Sequence, residues 1–338
     1  MRYSVIVPVF NRPEEVNELL ASLCRQTLKD FEVIIVEDGS EVESRDVCQQ
    51  YANRLDIIYY AKENGGPGLA RNTGAEHASG EYLIILDSDV VLPEGYLQAV
   101  DDELRRQPAD AFGGPDAAHP DFTPVQKAIS YSMTSFFTTG GIRGGKNKLD
   151  KFYPRSFNMG IRREVYRALG GFSTMRFGED IDFSYRICEA GYSTRLFPEA
   201  WVWHKRRTDF RKFYRQVYNS GIARINLEKR HPGTMKAVHL LPAVFTVGTL
   251  ALVFLSAVGF VAGVCWLMLL PWVPIVLYAL IIFADSALKS RSLRVGLLSV
   301  PAAFVQLMGY GMGFIKAWWK RCVKKGDEFA AFERNFYK

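Results

Sequence analysis

The sequence predicts an α/β fold with a mostly parallel sheet covered by helices on both faces, followed by a C-terminal membrane helical region. Three observations carry this expectation. From Tyr3 to Arg106, short apolar runs alternate with segments of helical period. Polar clusters follow directly on two of those runs. Between Lys236 and Asp285 the only titratable side chains are His239, Cys265 and Tyr278.

Tyr3–Val9 is a continuous β-branched run, read as a buried strand. Glu14–Cys24 then places Val16, Leu19, Leu20 and Leu23 at helical spacing behind Pro13. Phe31–Val36 is a second strand ending at Glu37-Asp38-Gly39-Ser40, and Val42–Tyr51 a helix. Asp56–Tyr60 is a third strand, and the loop Asn64-Gly65-Gly66-Pro67-Gly68 feeds a helix over Leu69–Ala78. Tyr82–Leu86 is a fourth strand ending at Asp87-Ser88-Asp89, before a helix over Glu94–Arg106. Near-continuous apolar strands alternating with helices call for a parallel sheet buried on both sides. Ligands of such sheets bind at the carboxyl ends of the strands, where both polar clusters fall.

From Pro115 to Tyr153 the pattern dissolves, and Thr139–Lys151 is rich in Gly and Lys. That stretch suits either a lid over a donor diphosphate or acceptor phosphate, or a plain surface loop. Order returns with a strand at Phe157–Ile161 and helices at Arg163–Leu169 and Ile181–Ala190. Thr208–Arg230 sets Phe210, Tyr214, Val217 and Tyr218 on one helical side with Arg211, Lys212 and Arg215 around them. This pattern fits an interfacial helix on a membrane, or a solvated helix docked on the domain.

A charge-poor run of about 45 residues is too long for one crossing of about 20, and fits two. Leu240–Ala262 and Val264–Ala284 form the expected hairpin, with Leu297–Ile315 a third apolar segment. The expected domains are residues 1–207, an interfacial helix and linker at 208–238, a membrane region at 239–319 and a basic tail at 320–338. Lys289, Arg291 and Arg294 suit the cytoplasm after two crossings. A third crossing would put Lys320, Arg321, Lys324 and Lys325 outside, so the segment is re-entrant or interfacial, or the rule is broken. Val5–Val9 is too short for the core of a signal peptide. The five cysteines show no metal-ligand spacing and suit a reducing cytosol. The net charge of +6 gathers beside the apolar runs, where anionic lipids attract it, and no nucleic-acid recognition motif accompanies it.

Three acidic clusters can carry chemistry. Asp87 and Asp89 are hard oxygen donors suited to Mg²⁺ or Mn²⁺ bound with a substrate phosphate. Asp38 can accept an N–H from a nucleobase, or simply close a turn. Glu179 and Asp180 open a helix, where carboxylates favour the dipole whatever their function; the other reading is a general base for a sugar hydroxyl.

These motifs together resemble glycosyltransferase family 2, with the GT-A fold. The matching segments are Val7-Pro8-Val9-Phe10-Asn11, Glu37-Asp38-Gly39-Ser40, Gly68-Leu69-Ala70-Arg71-Asn72, Asp87-Ser88-Asp89, Asn158-Met159-Gly160-Ile161-Arg162-Arg163 with Gly170-Gly171-Phe172, and Glu179-Asp180. The resemblance covers residues 1–225 or so. It implies that Pro8, Phe10, Asn11 and Asp38 line a nucleoside pocket, with Arg71 beside it. Asp87 would face the ribose and Asp89 ligate the metal, with His204 near the metal and diphosphate. Asp180 would be the base of an inverting displacement and Glu179 would place the acceptor. Arg206 and Arg207 would neutralise the diphosphate, or face lipid headgroups. The family's processive members carry Gln-x-x-Arg-Trp; here Arg215-Gln216 leads into Val217-Tyr218-Asn219-Ser220-Gly221, so a single addition is expected. The implied activity moves a sugar from a UDP-sugar to a lipid-linked or glycan acceptor on the cytoplasmic face of the inner membrane. Alternatives are a polyprenyl-phosphate glycosyltransferase and a non-catalytic scaffold of the same fold.

In membranes the full chain should resist extraction by salt and by alkaline carbonate, while a chain cut at about residue 235 should lose that resistance. Release of the intact chain by carbonate alone would show that neither arm of the hairpin crosses a bilayer.

Overall fold

The computed structural model describes residues 1–119, 121–140 and 152–328. Most of the Gly- and Lys-rich stretch considered as a lid, from residue 141, and the last ten residues of the basic tail lie outside them. Along the chain the elements are β1 (Tyr3–Val9), α1 (Pro13–Cys24), β2 (Phe31–Asp38), α2 (Arg45–Tyr51), β3 (Ile57–Lys62), α3 (Pro67–His77), β4 (Tyr82–Leu86), β5 (Val90–Val91), α4 (Tyr96–Arg106), β6 (Ala111–Gly113), β7 (Asp116–Ala117), α5 (Pro124–Thr134), α6 (Phe136–Thr139), β8 (Asn158–Arg162), α7 (Arg163–Ala168), α8 (Glu179–Glu189), β9 (Thr194–Leu196), β10 (Val202–His204), α9 (Phe210–Arg230), α10 (Leu241–Val261), α11 (Cys265–Leu269), α12 (Trp272–Ser290) and α13 (Leu293–Trp318). They form two compact units. The first holds residues 1–119 and 152–205 of those described, the second 121–140 and 206–328.

The first unit is built on a sheet of order β3-β2-β1-β4-β8-β6-β9. Strands β1 to β4 are parallel, as expected, and β8 runs antiparallel to β4 and β6. Alternate strand residues enter two separate cores. Val5, Val7, Val33 and Ile35 pack with Val16, Leu19 and Leu20 of α1 and Leu97 and Val100 of α4. Ile6, Ile34, Val36 and Ile85 pack on the other face with Ala70 of α3, Val165 of α7 and Phe183 and Ile187 of α8. Burial on both faces is why these strands read as unbroken apolar runs, each such side chain contributing about 1.5–3 kcal/mol.

Several boundaries and elements differ from expectation. β2 runs on to Asp38 and β3 to Lys62, which brings those two residues into register. α2 starts only at Arg45. The stretch 115–153, expected to lack pattern, contains α5. Its start is a capping box: Thr123 N–H donates to Gln126 Oε1 at 3.0 Å, and Gln126 N–H returns to Thr123 Oγ1 at 3.3 Å. A second small sheet, β5-β10-β7, was not anticipated; its strands of two or three residues are too short to show a period.

In the second unit the expected second membrane arm is broken at Leu270-Pro271 into α11 and α12, where proline removes a backbone donor. The third apolar helix is longer than Leu297–Ile315, spanning Leu293–Trp318. Among the described residues, three helical segments are long and apolar enough to cross a membrane: Ala237–Val261, Cys265–Ser290 and Leu293–Val323. α9 buries Phe213 and Val217 in a cluster with Ile129 and Met133 of α5, against which Val305 and Tyr310 of α13 also pack.

Gly160 of β8 lies opposite Phe112 of β6, whose ring stacks on Phe197 at 4.4 Å. A Cβ at Gly160 would fall within the Phe112 ring. Gly160→Ala should therefore destabilise the first unit by about 1–3 kcal/mol through overpacking. Thermal unfolding of the detergent-solubilised chain measures this; an unchanged midpoint would mean that the ring moves aside freely.

Candidate active site

The acidic residues stand at the carboxyl ends of β2 and β4 and at the start of α8, and Arg71 joins the β4 turn to α8. The turn after β4 carries Asp87 and Asp89. β5 follows at once and pairs antiparallel with β10, Val90 opposite His204. That pairing brings an imidazole from far along the chain beside the turn. His204 Nε2 lies 3.3 Å from Asp89 Oδ1, and Phe157 stacks on the imidazole at 5.0 Å. Lys205 N–H donates to Asp89 O at 3.0 Å and locks the turn to β10. One ligand atom each from Asp87, Asp89 and His204 lies within 4.8 Å of the others. Two carboxylates and an imidazole make a donor set that fits Mn²⁺ or Mg²⁺.

Arginines interleave with these acids. Arg12, just after β1, donates from Nη1 to Asp89 Oδ2 at 2.7 Å. Arg71 of α3 is buried and donates from Nη2 to Asp87 Oδ1 at 2.8 Å and from Nη1 to Glu179 Oε1 at 3.0 Å. Its guanidinium also covers the Phe172 ring at 5.2 Å. Burial alone would lower the Arg71 pKa, but Asp87 and Glu179 outweigh it and hold the pKa above the ordinary value.

α8 is preceded by Gly178 at its N-cap, whose φ of 85° suits glycine and which offers no side chain to cap the first turn. Asp180 accepts from Arg155 Nε at 2.7 Å through Oδ2 and from Ile181 N–H at 2.9 Å through Oδ1. The helix-start reading thus has some substance, but the shorter contact is to Arg155. The adjacent acids are pushed apart. Burial raises Glu179, helped by the charge of Asp180 and opposed by Arg71. Burial also opposes ionisation of Asp180, but Arg155 and then Arg71 prevail and hold its carboxyl below the usual range. As pH falls, Glu179 takes a proton before Asp180 does. Asp182 turns away, bound by Ser173 Oγ at 2.8 Å and Arg186 Nε at 3.1 Å.

The residues expected to line a nucleoside pocket stand at the ends of β1 and β2. Pro8 and Phe10 are half-buried and Asn11 is exposed with φ 53°. Asn11 Oδ1 accepts from Glu41 and Val42 N–H at 2.8 and 3.0 Å, fixing the loop after β2. Asp38 is buried and holds the glycine loop: Oδ1 accepts from Lys62 Nζ at 2.9 Å and Gly65 N–H at 2.8 Å, and Oδ2 from Gly66 N–H at 2.7 Å. A carboxylate has about four acceptor positions, so this turn-closing role leaves room for one further donor. Arg206 and Arg207 belong to the second unit, where Gln126 Nε2 donates to Arg206 O at 3.0 Å.

Sequence reasoning missed Arg12, Lys62 and Arg155. Arg12 follows Phe10-Asn11 directly, so its place at a strand end was readable. Lys62 was lost by ending β3 two residues early. Arg155 sits in an isolated bridge to Asn158, outside any periodic segment, and nothing local marks it.

The seven-stranded sheet with its acidic turn after β4 is the GT-A architecture. Residues 4–170 match the family model described as glycosyl transferase family 2, and the chain belongs to that family. It is 36% identical over 113 residues to the uncharacterized glycosyltransferase EpsJ of Bacillus subtilis, covering 32% of each chain. It is 27% identical over 277 residues to the pre-mycofactocin glycosyltransferase of Mycobacterium tuberculosis, covering 76% of this chain and 53% of that one. The matched segments span only 16%, 32% and 38% of three such curated relatives. The fold is similar to that of the mannosyltransferase PcManGT from Pyrobaculum calidifontis, solved with GDP-Man and Mn²⁺: TM-score 0.65, 19% identity, covering 94% of this chain and 87% of that one.

Arg155→Gln removes both the charge and the donor that depress Asp180, so the Asp180 carboxyl should titrate at higher pH in the variant. Its native form contributes stability above the unfolded aspartate pKa and loses it as pH falls through the lowered folded value. Carbon-13 NMR of labelled aspartates reads both; an unmoved Asp180 titration would remove Arg155 as the cause.

Proposed function

We propose that the chain transfers a sugar, with inversion, from a nucleotide-sugar to a membrane-associated acceptor in a single addition. The observation that carries this reading is one continuous network. Asp89 and His204 stand beside Asp87, Arg71 joins Asp87 to Glu179, and Asp180 follows next in the chain. A donor-diphosphate end and a base end are thereby held in fixed relation.

The donor is read as a UDP-sugar. Asp38, Asn11, Pro8 and Phe10 shape the nucleoside end, and Asp87 faces the ribose. Asp89 and His204 would hold Mg²⁺ or Mn²⁺, whose charge when bound helps the nucleoside diphosphate to leave. Asp180, ionised at neutral pH, accepts the acceptor hydroxyl proton as the oxygen attacks the anomeric carbon. Arg155 aims that carboxylate and keeps it deprotonated, at some cost in basicity. Glu179, fixed by Arg71, positions the acceptor. A lipid-linked acceptor fits a catalytic unit tethered to apolar helices, because tethering raises the effective concentration of a substrate in the same bilayer. The catalytic unit is read as cytoplasmic, on the inner membrane.

EDTA should abolish transfer and Mn²⁺ or Mg²⁺ should restore it; full activity after exhaustive chelation would sink the metal role. Asp89→Asn should lower activity more than Ser88→Ala.

Asp180→Asn should bind UDP as the wild type does and lose about 10²–10⁴ in turnover, whereas Glu179→Gln should be milder. Binding by calorimetry and turnover by product mass spectrometry separate the roles. If Asp180→Asn keeps more than about a tenth of wild-type turnover, Asp180 is not the base.

A further inference from the structure

α13 is long and apolar enough to cross a bilayer, yet its neighbours argue against a crossing. On one side it packs on α9. A Cβ on Gly309 would sit 2.6 Å from Val217 Cγ2 and 3.1 Å from Tyr214 Cδ2. Gly221 brings α9 against the backbone of Tyr310 and Phe314, and Gly313 brings α13 against the backbone of Tyr218. Tyr214 Oη donates to Met312 Sδ at 3.6 Å, and Lys316 Nζ lies 5.7 Å from the Tyr218 ring centre. Contacts advance together along both helices, so they run parallel. But α9 is a charged helix, with Arg211, Lys212 and Arg215 exposed. Arg215 belongs to the turn that meets Gly309, near the middle of α13. A crossing α13 would hold that guanidinium close to the hydrocarbon mid-plane, among the least favourable places for it.

On its other side α13 meets the hairpin. Ser286 and Ser299 hydroxyls are 2.7 Å apart, and a Cβ on Gly296 would lie 3.0 Å from Phe283 O. The Phe304 ring sits 5.7 Å from Tyr278 and 5.6 Å from Phe245. Thr246 Oγ1 donates to Leu307 O at 3.4 Å, and Gly311 abuts Pro242 and Thr246. As α13 advances from Phe304 to Gly311, these contacts stay within Pro242–Thr246, the first turns of α10. Seven helical residues rise about 10 Å, so a helix running alongside α10 would have shifted its contacts by as much. α13 thus runs antiparallel along the second half of α12, its partners there moving from Ala287 back to Tyr278 between Gly296 and Phe304, and then passes across the start of α10.

The charges agree. Lys289, Arg291 and Arg294 gather at the start of α13, and Lys316, Lys320, Arg321, Lys324 and Lys325 at and just beyond its end. Two crossings leave both groups on one side of the membrane; three separate them. Trp318 and Trp319, 46% and 52% exposed, stand beside the second group, a pairing suited to headgroup depth.

We infer that α13 is an interfacial helix, lying with α9 on the anionic headgroups of the leaflet where α10 enters. The chain then crosses the membrane twice, and the segment after α13 shares a side with the catalytic unit. This rests on the membrane anchoring proposed above.

The test is labelling of the full chain carrying Glu164→Cys, an exposed position in α7, with a membrane-impermeant maleimide. Inverted and right-side-out vesicles are compared, and label is read peptide by peptide by mass spectrometry. Cys322 and Cys265 are both exposed and serve as native reporters, with Lys325→Cys as a second reporter for the tail. Cys322 and Lys325→Cys should label in the vesicle orientation that labels Glu164→Cys, and Cys265 in the opposite one. Tail labelling together with Cys265 would overturn the inference. Release of the chain from the same vesicles by alkaline carbonate would instead overturn the anchoring beneath it.

Discussion

Arg71 holds Asp87, at the end of β4, and Glu179, at the start of α8, from a position 3% exposed to solvent. A buried cation of this kind is tolerable only while its partners stay; losing one partner costs about 3–5 kcal/mol. The surrounding chain is built to keep them. Gly68 lets α3 approach Phe172, Ser173 and the Glu179 side chain. Asn72, one residue past the guanidinium, accepts from Phe172 N–H at 2.8 Å and Tyr166 Oη at 2.6 Å and donates to Phe172 O at 2.9 Å. The segment Gly68–Asn72 is thus a clamp: small residues for close approach, a cation for two acids, and an amide for the loop between α7 and α8.

That clamp explains how much could be read beforehand. Parallel strands buried on both faces leave the plainest mark a sequence can carry, and Tyr3–Val9 and Tyr82–Leu86 were legible to the residue. The acids were legible too, because strand ends locate them: Asp38, Asp87 and Asp89 follow apolar runs directly. Less visible was what each acid touches. The Asp38 carboxylate spends its acceptors on Lys62 and the Gly65-Gly66 backbone, a partnership that depends on strand register rather than on local composition. Arg155 reaches Asp180 from a segment with no period at all.

In the second unit the limit was different. Hydropathy reports how apolar a helix is and not what lies against it, so the sequence leaves the pairing of α9 with α13 unmarked. The aromatic side of α9, which composition alone would offer to lipid, is covered by α5 and α13. Gly309 and Gly313 of α13 and Gly221 of α9 allow this, since a side chain at any of the three would collide with the facing helix. Small residues at helix interfaces permit close backbone approach. Here they join a charged helix to an apolar one, a pairing that no window average can display.

The contact between Arg12 and Asp89 bears on the order in which the site, read as a metal and donor site, would fill. Asp87 and Asp89 bring two negative charges, and Arg71 and Arg12 already answer both at contact distance. A dication arriving alone would overshoot the neutrality that these two ion pairs already reach. One arriving with a nucleoside diphosphate would be compensated by its own cargo. Under the proposed function, ion and nucleotide would then enter as a single guest, each lowering the electrostatic barrier to the other, with Arg12 as the internal counter-ion that balances Asp89 in the empty site.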